Sequence, residues 1–196
     1  MFAKNFARPH YTVLHKFLII KVHYAGVIKA YISLILVTIL LFAGGLFLLS
    51  SGGQSDEAIM AKVKFYQKTD PGKPVLELVG PNKQDLGSLS VKSEKSAVFN
   101  IRNSGQKTLQ IYAGTSSCNC TFGQVTKANG KSPLFGMHDK RKFLVELGPG
   151  ETGNVVVTYK PYLMPSLGLN KRIVSIKTND PDNPEVEFDI EAIVTE

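Results

Sequence analysis

The run Asn154-Val155-Val156-Val157-Thr158-Tyr159 decides the fold. Three consecutive valines followed by Thr and Tyr suit a pleated surface, and six residues are too few for a helix. The same kind of run recurs on either side. Downstream lie Arg172–Ile176 and Glu185–Ile190; upstream lie Lys142–Glu146, Thr108–Tyr112, Ala97–Ile101 and Val75–Val79. Apolar and polar residues alternate in them with period two, as half-buried strands require. Turn signals separate them: Asn103-Ser104-Gly105, Gly148-Pro149-Gly150 and Asn179-Asp180-Pro181-Asp182-Asn183-Pro184. No convincing amphipathic helix follows residue 75. Seven or more short strands in about 120 residues predict an all-β, immunoglobulin-like β-sandwich over 75–196.

The N-terminal quarter has a different chemistry. The chain of 196 residues carries 23 Lys+Arg against 16 Asp+Glu, but residues 1–49 hold five bases and no acid. The net charge therefore belongs mostly to the tail, which argues against a nucleic-acid reader with basic groups on its folded face. From Ala30 to Leu49 there are 20 residues without a charge, enough to cross a hydrocarbon core of about 30 Å as a helix. All five bases precede this stretch. The positive-inside rule then predicts a single-pass signal-anchor in the cell membrane, with a cytoplasmic tail at 1–29 and a periplasmic or extracellular C-terminal domain. A cleaved signal peptide is the competing reading, disfavoured by the length of the apolar run. Residues 50–74, with Ser-Ser-Gly-Gly and Asp-Pro-Gly-Lys-Pro, read as a stalk.

Within the sandwich region the residues Phe99, Ile101, Asn103, Gly105, Leu109, Ile111, Ser117-Cys118-Asn119-Cys120-Thr121, Pro149-Gly150-Glu151, Val157, Tyr159, Gly168 and Thr178-Asn179-Asp180-Pro181, in that order, resemble the bacterial domain-of-unknown-function 1573 family. The family is similar to major-sperm-protein and Hydin-type sandwiches. The resemblance covers about residues 75–196 and implies an exported Ig-like domain, without an activity to carry over. Two departures stand out: Asn119 replaces the usual glycine between the cysteines, and Phe122–Leu147 is long, which reads as an inserted contact loop.

Cys118 and Cys120, at i and i+2, would project from one face of a strand. Three readings follow. They are small core residues or a disulfide formed in an oxidising compartment. They are a soft-metal site for Cu(I), with Met137, His138 or Met164 as a third ligand. Or they are a redox dithiol, which needs a group that lowers a thiol pKa.

Catalytic equipment is sparse. Only His138 lies beyond the N-terminal tail, in the cationic run His138-Asp139-Lys140-Arg141-Lys142, and no phosphate-cradling glycine loop is present. The expectation is a non-enzymatic interaction or scaffolding module, with no cofactor and no evident small-molecule substrate. Its partners are the lipid bilayer through residues 30–49 and envelope or surface proteins through the domain. The alternative is a Cu(I)-handling domain centred on Cys118 and Cys120.

Overall fold

The computed structural model describes Lys29, residues 31–44 and 56–196, and the chain divides into two compact units, Met1–Gly53 and Gln54–Glu196. In the first unit, Lys29 and residues 31–44 are helical. Ala30, residues 45–49 of the expected span and the tail 1–28 lie outside the described residues. No helix among the described residues is long and apolar enough to cross a membrane.

The second unit opens with a short helix, α1 (Asp56–Met60), and is otherwise a β-sandwich. Its strands are β1 (Leu76–Val79), β2 (Lys83–Ser90), β3 (Lys95–Asn103), β4 (Leu109–Ser116), β5 (Thr121–Lys127), β6 (Gly130–Lys131), β7 (Val145–Leu147), β8 (Thr152–Tyr159), β9 (Gly168–Thr178) and β10 (Glu185–Thr195). One sheet runs β1-β3-β8-β5-β6 and the other β2-β10-β9-β4-β7. All pairings are antiparallel except β2 with β10.

Period two is visible in the burial. Ala97, Phe99 and Ile101 on β3, Val155, Val157 and Tyr159 on β8, and Phe188, Ile190, Ala192 and Val194 on β10 all point inward. Phe99 and Phe188 meet between the sheets with ring centroids 5.1 Å apart. Alternation fails on β4, where Leu109, Gln110 and Ile111 are all buried. The reason is that its outer face is also covered: Gln110 lies under the backbone of Lys62–Lys64, and Tyr112 meets Phe65 edge-on at 5.8 Å.

Three sequence expectations need correction. Residues 56–74 do not stand off as a stalk: Ile59 and Val63 are buried, and Asn179 Nδ2 donates to the Lys64 carbonyl at 3.0 Å. Phe122–Leu147 is not a loop inserted outside the fold, because β5 pairs with β8 over Thr121–Thr126 and β7 pairs with β4. Phe135 and Phe143 from the same stretch are buried and stack at 5.5 Å. Cys118 and Cys120 do not sit on a strand. They occupy the turn between β4 and β5, closed by the Thr121 N–H donating to the Cys118 carbonyl at 3.1 Å.

The family-like motifs serve as locks between loops. Asn103 Nδ2 donates to the Lys107 and Leu147 carbonyls at 2.8 and 2.9 Å, while its Oδ1 accepts from Gly105 N–H at 3.0 Å. Buried Asp180 accepts from Leu76 N–H, Asp182 N–H and Asn183 Nδ2 at 2.8–2.9 Å. In Gly148-Pro149-Gly150-Glu151, Gly150 takes φ +76°, which suits a residue without Cβ. Glu151 accepts from Gly148 N–H at 2.8 Å and lies 3.4 Å from Lys127. The Gly148 N–H, then Lys127, hold its carboxyl below the usual range. A depressed folded-state pKa adds stability that is present above the unfolded value and lost as pH falls through the folded one. Glu151→Gln is therefore expected to flatten the acid limb of the stability–pH curve. The change should stay under about 1 kcal/mol, since more than a third of the side chain is exposed and solvent screens the charge; urea titrations from neutral to acid pH measure it.

Candidate functional site

The chemistry concentrates where the β4–β5 turn meets the end of β8. Cys118 and Cys120 are joined by a disulfide, with Cα atoms 5.1 Å apart. The turn is held from several sides. Ser116 Oγ donates to the Cys118 carbonyl at 2.9 Å, and Lys160 N–H donates to the Cys120 carbonyl at 2.8 Å. Cys120 N–H points at Cys118 Sγ at 3.1 Å.

The two sulfurs have different surroundings. Cys120 is fully buried, whereas Cys118 keeps 8% exposure. Arg172 Nε, from β9, donates to Cys120 Sγ at 3.3 Å. The guanidinium is fixed by Nη2 donating to Asn170 Oδ1 at 2.7 Å and by its position 5.4 Å from the centre of the Tyr159 ring. Tyr159 is itself fully buried, and its hydroxyl has no hydrogen-bond partner. On the other side, Met164 Sδ lies 3.8 Å from Cys118 Sγ. Met164 follows a 3-10 turn, Pro161–Leu163, and is half-exposed.

That turn also carries Tyr162 and Leu163 into a shallow groove of about 330 Å³, walled by Phe122, Leu134, Thr158 and Lys160. Lys160 pairs with Glu94 at 3.0 Å, and Tyr162 Oη donates to the same carboxylate at 3.0 Å. The hydrogen bond raises the Lys160 pKa, and the Glu94 carboxyl is lowered by Lys160 and then Tyr162. The pair thus stays charged through the neutral range. Lys160 Nζ also stands 5.8 Å from the centre of the Phe122 ring.

Of the proposed third ligands, Met164 is the one brought against the cysteines. Met137 and His138 are exposed on the loop after Phe135; Met137 is tied by its backbone carbonyl, which accepts from Thr115 Oγ1 at 3.2 Å. Among the described residues no group of three or more His, Cys, Asp or Glu forms a metal-type cluster. Sequence reasoning missed Arg172 and the orphan hydroxyl of Tyr159. Neither has a local signal, since Arg172 is an ordinary polar position on β9 until the fold carries it to Cys120.

No curated protein matches the chain. Among solved structures, a protein of unknown function from Porphyromonas gingivalis W83 is similar at 21% identity and TM-score 0.48, over 64% of this chain and 50% of that one. The present chain thus spans half the length of that protein. The ASH/PapD-like domain of human CEP192 is similar at 12% identity and TM-score 0.43, over 69% of this chain and 96% of that one. WR4, a C. elegans MSP family member, is similar at 11% identity and TM-score 0.33, over 62% of this chain and 97% of that one. A family model described as a protein of unknown function (DUF1573) matches residues 78–132, from within β1 to just past β6. Over those residues, which contain Ser117–Thr121, the chain matches the family its cysteine signature resembles.

Proposed function

We propose that the chain is a membrane-anchored, extracytoplasmic interaction or scaffolding module that binds envelope or surface proteins without turning over a substrate. The observation that carries this reading is the apolar groove. Leu134, Tyr162 and Leu163 are exposed on a domain whose own core is already closed by Phe99, Phe188, Val155 and Val157. Exposed apolar surface rimmed by a fixed ion pair is the composition of a protein contact. Anchoring through 30–49 rests on the uncharged sequence, its basic flank and the helical conformation of 31–44.

Two measurements test the proposal. The full chain is expected to stay in the membrane pellet after an alkaline carbonate wash, with residues 56–196 accessible to protease from outside. Release into the supernatant would remove the anchor. Leu163→Asp is expected to abolish photocrosslinks formed from a probe at position 134, because it places a charge in the apolar contact. Unchanged crosslinks would remove the groove.

A second reading, Cu(I) handling, has one observation in its favour: reduction would leave three soft sulfurs, Cys118, Cys120 and Met164, close together. The Arg172 cation against Cys120 opposes a metal ion there. One Cu(I) bound by the reduced chain, and lost on Cys118→Ser with Cys120→Ser, would establish this reading; no uptake would remove it.

A further inference from the structure

We infer that the Cys118–Cys120 disulfide is a thiol–disulfide exchange site for dithiols, with Cys118 as the attacked sulfur and Cys120 as the leaving thiolate. The two halves of the bond are built for different tasks. Cys118 is the half-cystine that keeps some exposure, 8% as a residue, and Met164, a flexible and half-exposed side chain, lies 3.8 Å from its sulfur. Cys120 has no exposure and receives the Arg172 Nε–H at 3.3 Å. A guanidinium cannot be deprotonated in a protein, so that donor is permanent. Arg172 is locked by Asn170 and by the Tyr159 ring, which presets it on the sulfur that becomes negative. A fixed donor aimed at a developing anion favours its formation, and a lower leaving-thiol pKa speeds exchange.

The step balances. A thiolate of the incoming dithiol bonds to Cys118 Sγ as the Cys118–Cys120 bond breaks, and the electron pair departs on Cys120 Sγ. The second thiol of the dithiol, deprotonated, then attacks its own sulfur in the mixed disulfide. The dithiol leaves as a disulfide, and Cys118 leaves as a thiolate that takes a proton from water. The domain gains two electrons and the dithiol loses two. This is a stoichiometric exchange and not a turnover. It stands whether or not the neighbouring groove seats a partner.

The test uses the full chain in detergent and reduced glutathione as probe, quenched with iodoacetamide in denaturant. Mass spectrometry is expected to place glutathione on Cys118 and the alkyl group on Cys120. Glutathione on Cys120, an even split, or a disulfide that resists reduction in the folded chain would overturn the assignment. Arg172→Met is expected to slow reduction about three- to tenfold, from the dependence of exchange on leaving-thiol pKa. It should also raise the pH at which thiolate absorbance first appears in the reduced chain, a readout that a merely structural role would not move. Arg172→Lys keeps the cation and is expected to recover part of both. Met164→Ala is expected to speed reduction by uncovering Cys118. The glutathione mapping needs no substitution, so it decides the question even if Arg172→Met fails to fold.

Discussion

Phe135→Ala is expected to destabilise the sandwich by about 3–5 kcal/mol, the range for removing a buried aromatic side chain from a core that relaxes only in part. Phe135 is 2% exposed, and its ring lies against Gly114 of β4 and Gly123 of β5, strands of opposite sheets. A Cβ built on Gly123 would sit 2.5 Å from the Phe135 Cζ, and one on Gly114 would do the same. The ring thus fills core space that side chains at 114 and 123 would otherwise occupy. Its backbone is pinned as well: Gly123 N–H donates to the Phe135 carbonyl at 2.9 Å, and Phe135 N–H returns the bond at 3.0 Å. Gly123→Ala alone is expected to destabilise, because Val174 Cγ1, 2.8 Å from the same Cβ position, closes the other side. Combined with Phe135→Ala, the cost should fall short of the sum, since the new methyl enters the cavity. Urea denaturation of the four proteins in this cycle gives the coupling. Strict additivity would mean that the ring and the glycine do not share that space.

The same site explains why strand β5 was hard to read. Its inward face is Thr121, Gly123 and Val125, too small and polar to announce a core strand, because Phe135 and Phe143 supply the apolar bulk from a later segment. β2 was hidden for a different reason. Its buried residues, Leu86 and Leu89, are three apart across Gly87 at φ +68°, which breaks the period of two. Strands whose own residues alternate, β3, β8 and β10, were legible, and with them the two-sheet architecture. The candidate site divides along the same line. Cys118 and Cys120 are neighbours in sequence and could be singled out from it. Arg172 and Met164 are 52 and 46 residues away from the sulfurs they touch, so only the fold brings them there.

Gln110→Ala is expected to release the segment that joins the N-terminal unit to the sandwich. Gln110 is a buried polar residue on β4, and its amide serves as a surrogate strand for a neighbour that has none. Oε1 accepts from Lys64 N–H at 2.7 Å, and Nε2 donates to the Lys62 carbonyl at 3.1 Å and to Glu146 Oε1 at 2.8 Å. Truncation leaves the Lys64 N–H and the Lys62 carbonyl without these partners, at a cost of about 2–3 kcal/mol in the opening of the segment. Lys62 and Lys64 are exposed, so trypsin reports that opening directly. Where closing is faster than cleavage, the rate follows the open population, and cutting after these lysines should accelerate about 25- to 140-fold. Cleavage elsewhere in 76–195 should change less, because the ladders there are untouched. Acceleration of that size would make the amide clamp, and not apolar contact, the fastening between residues 56–66 and the sandwich. Cleavage no faster than in the parent chain would mean that the burial of Ile59 and Val63 and the Asn179 bond to the Lys64 carbonyl hold the segment without the clamp, and that Gln110 is there for Glu146.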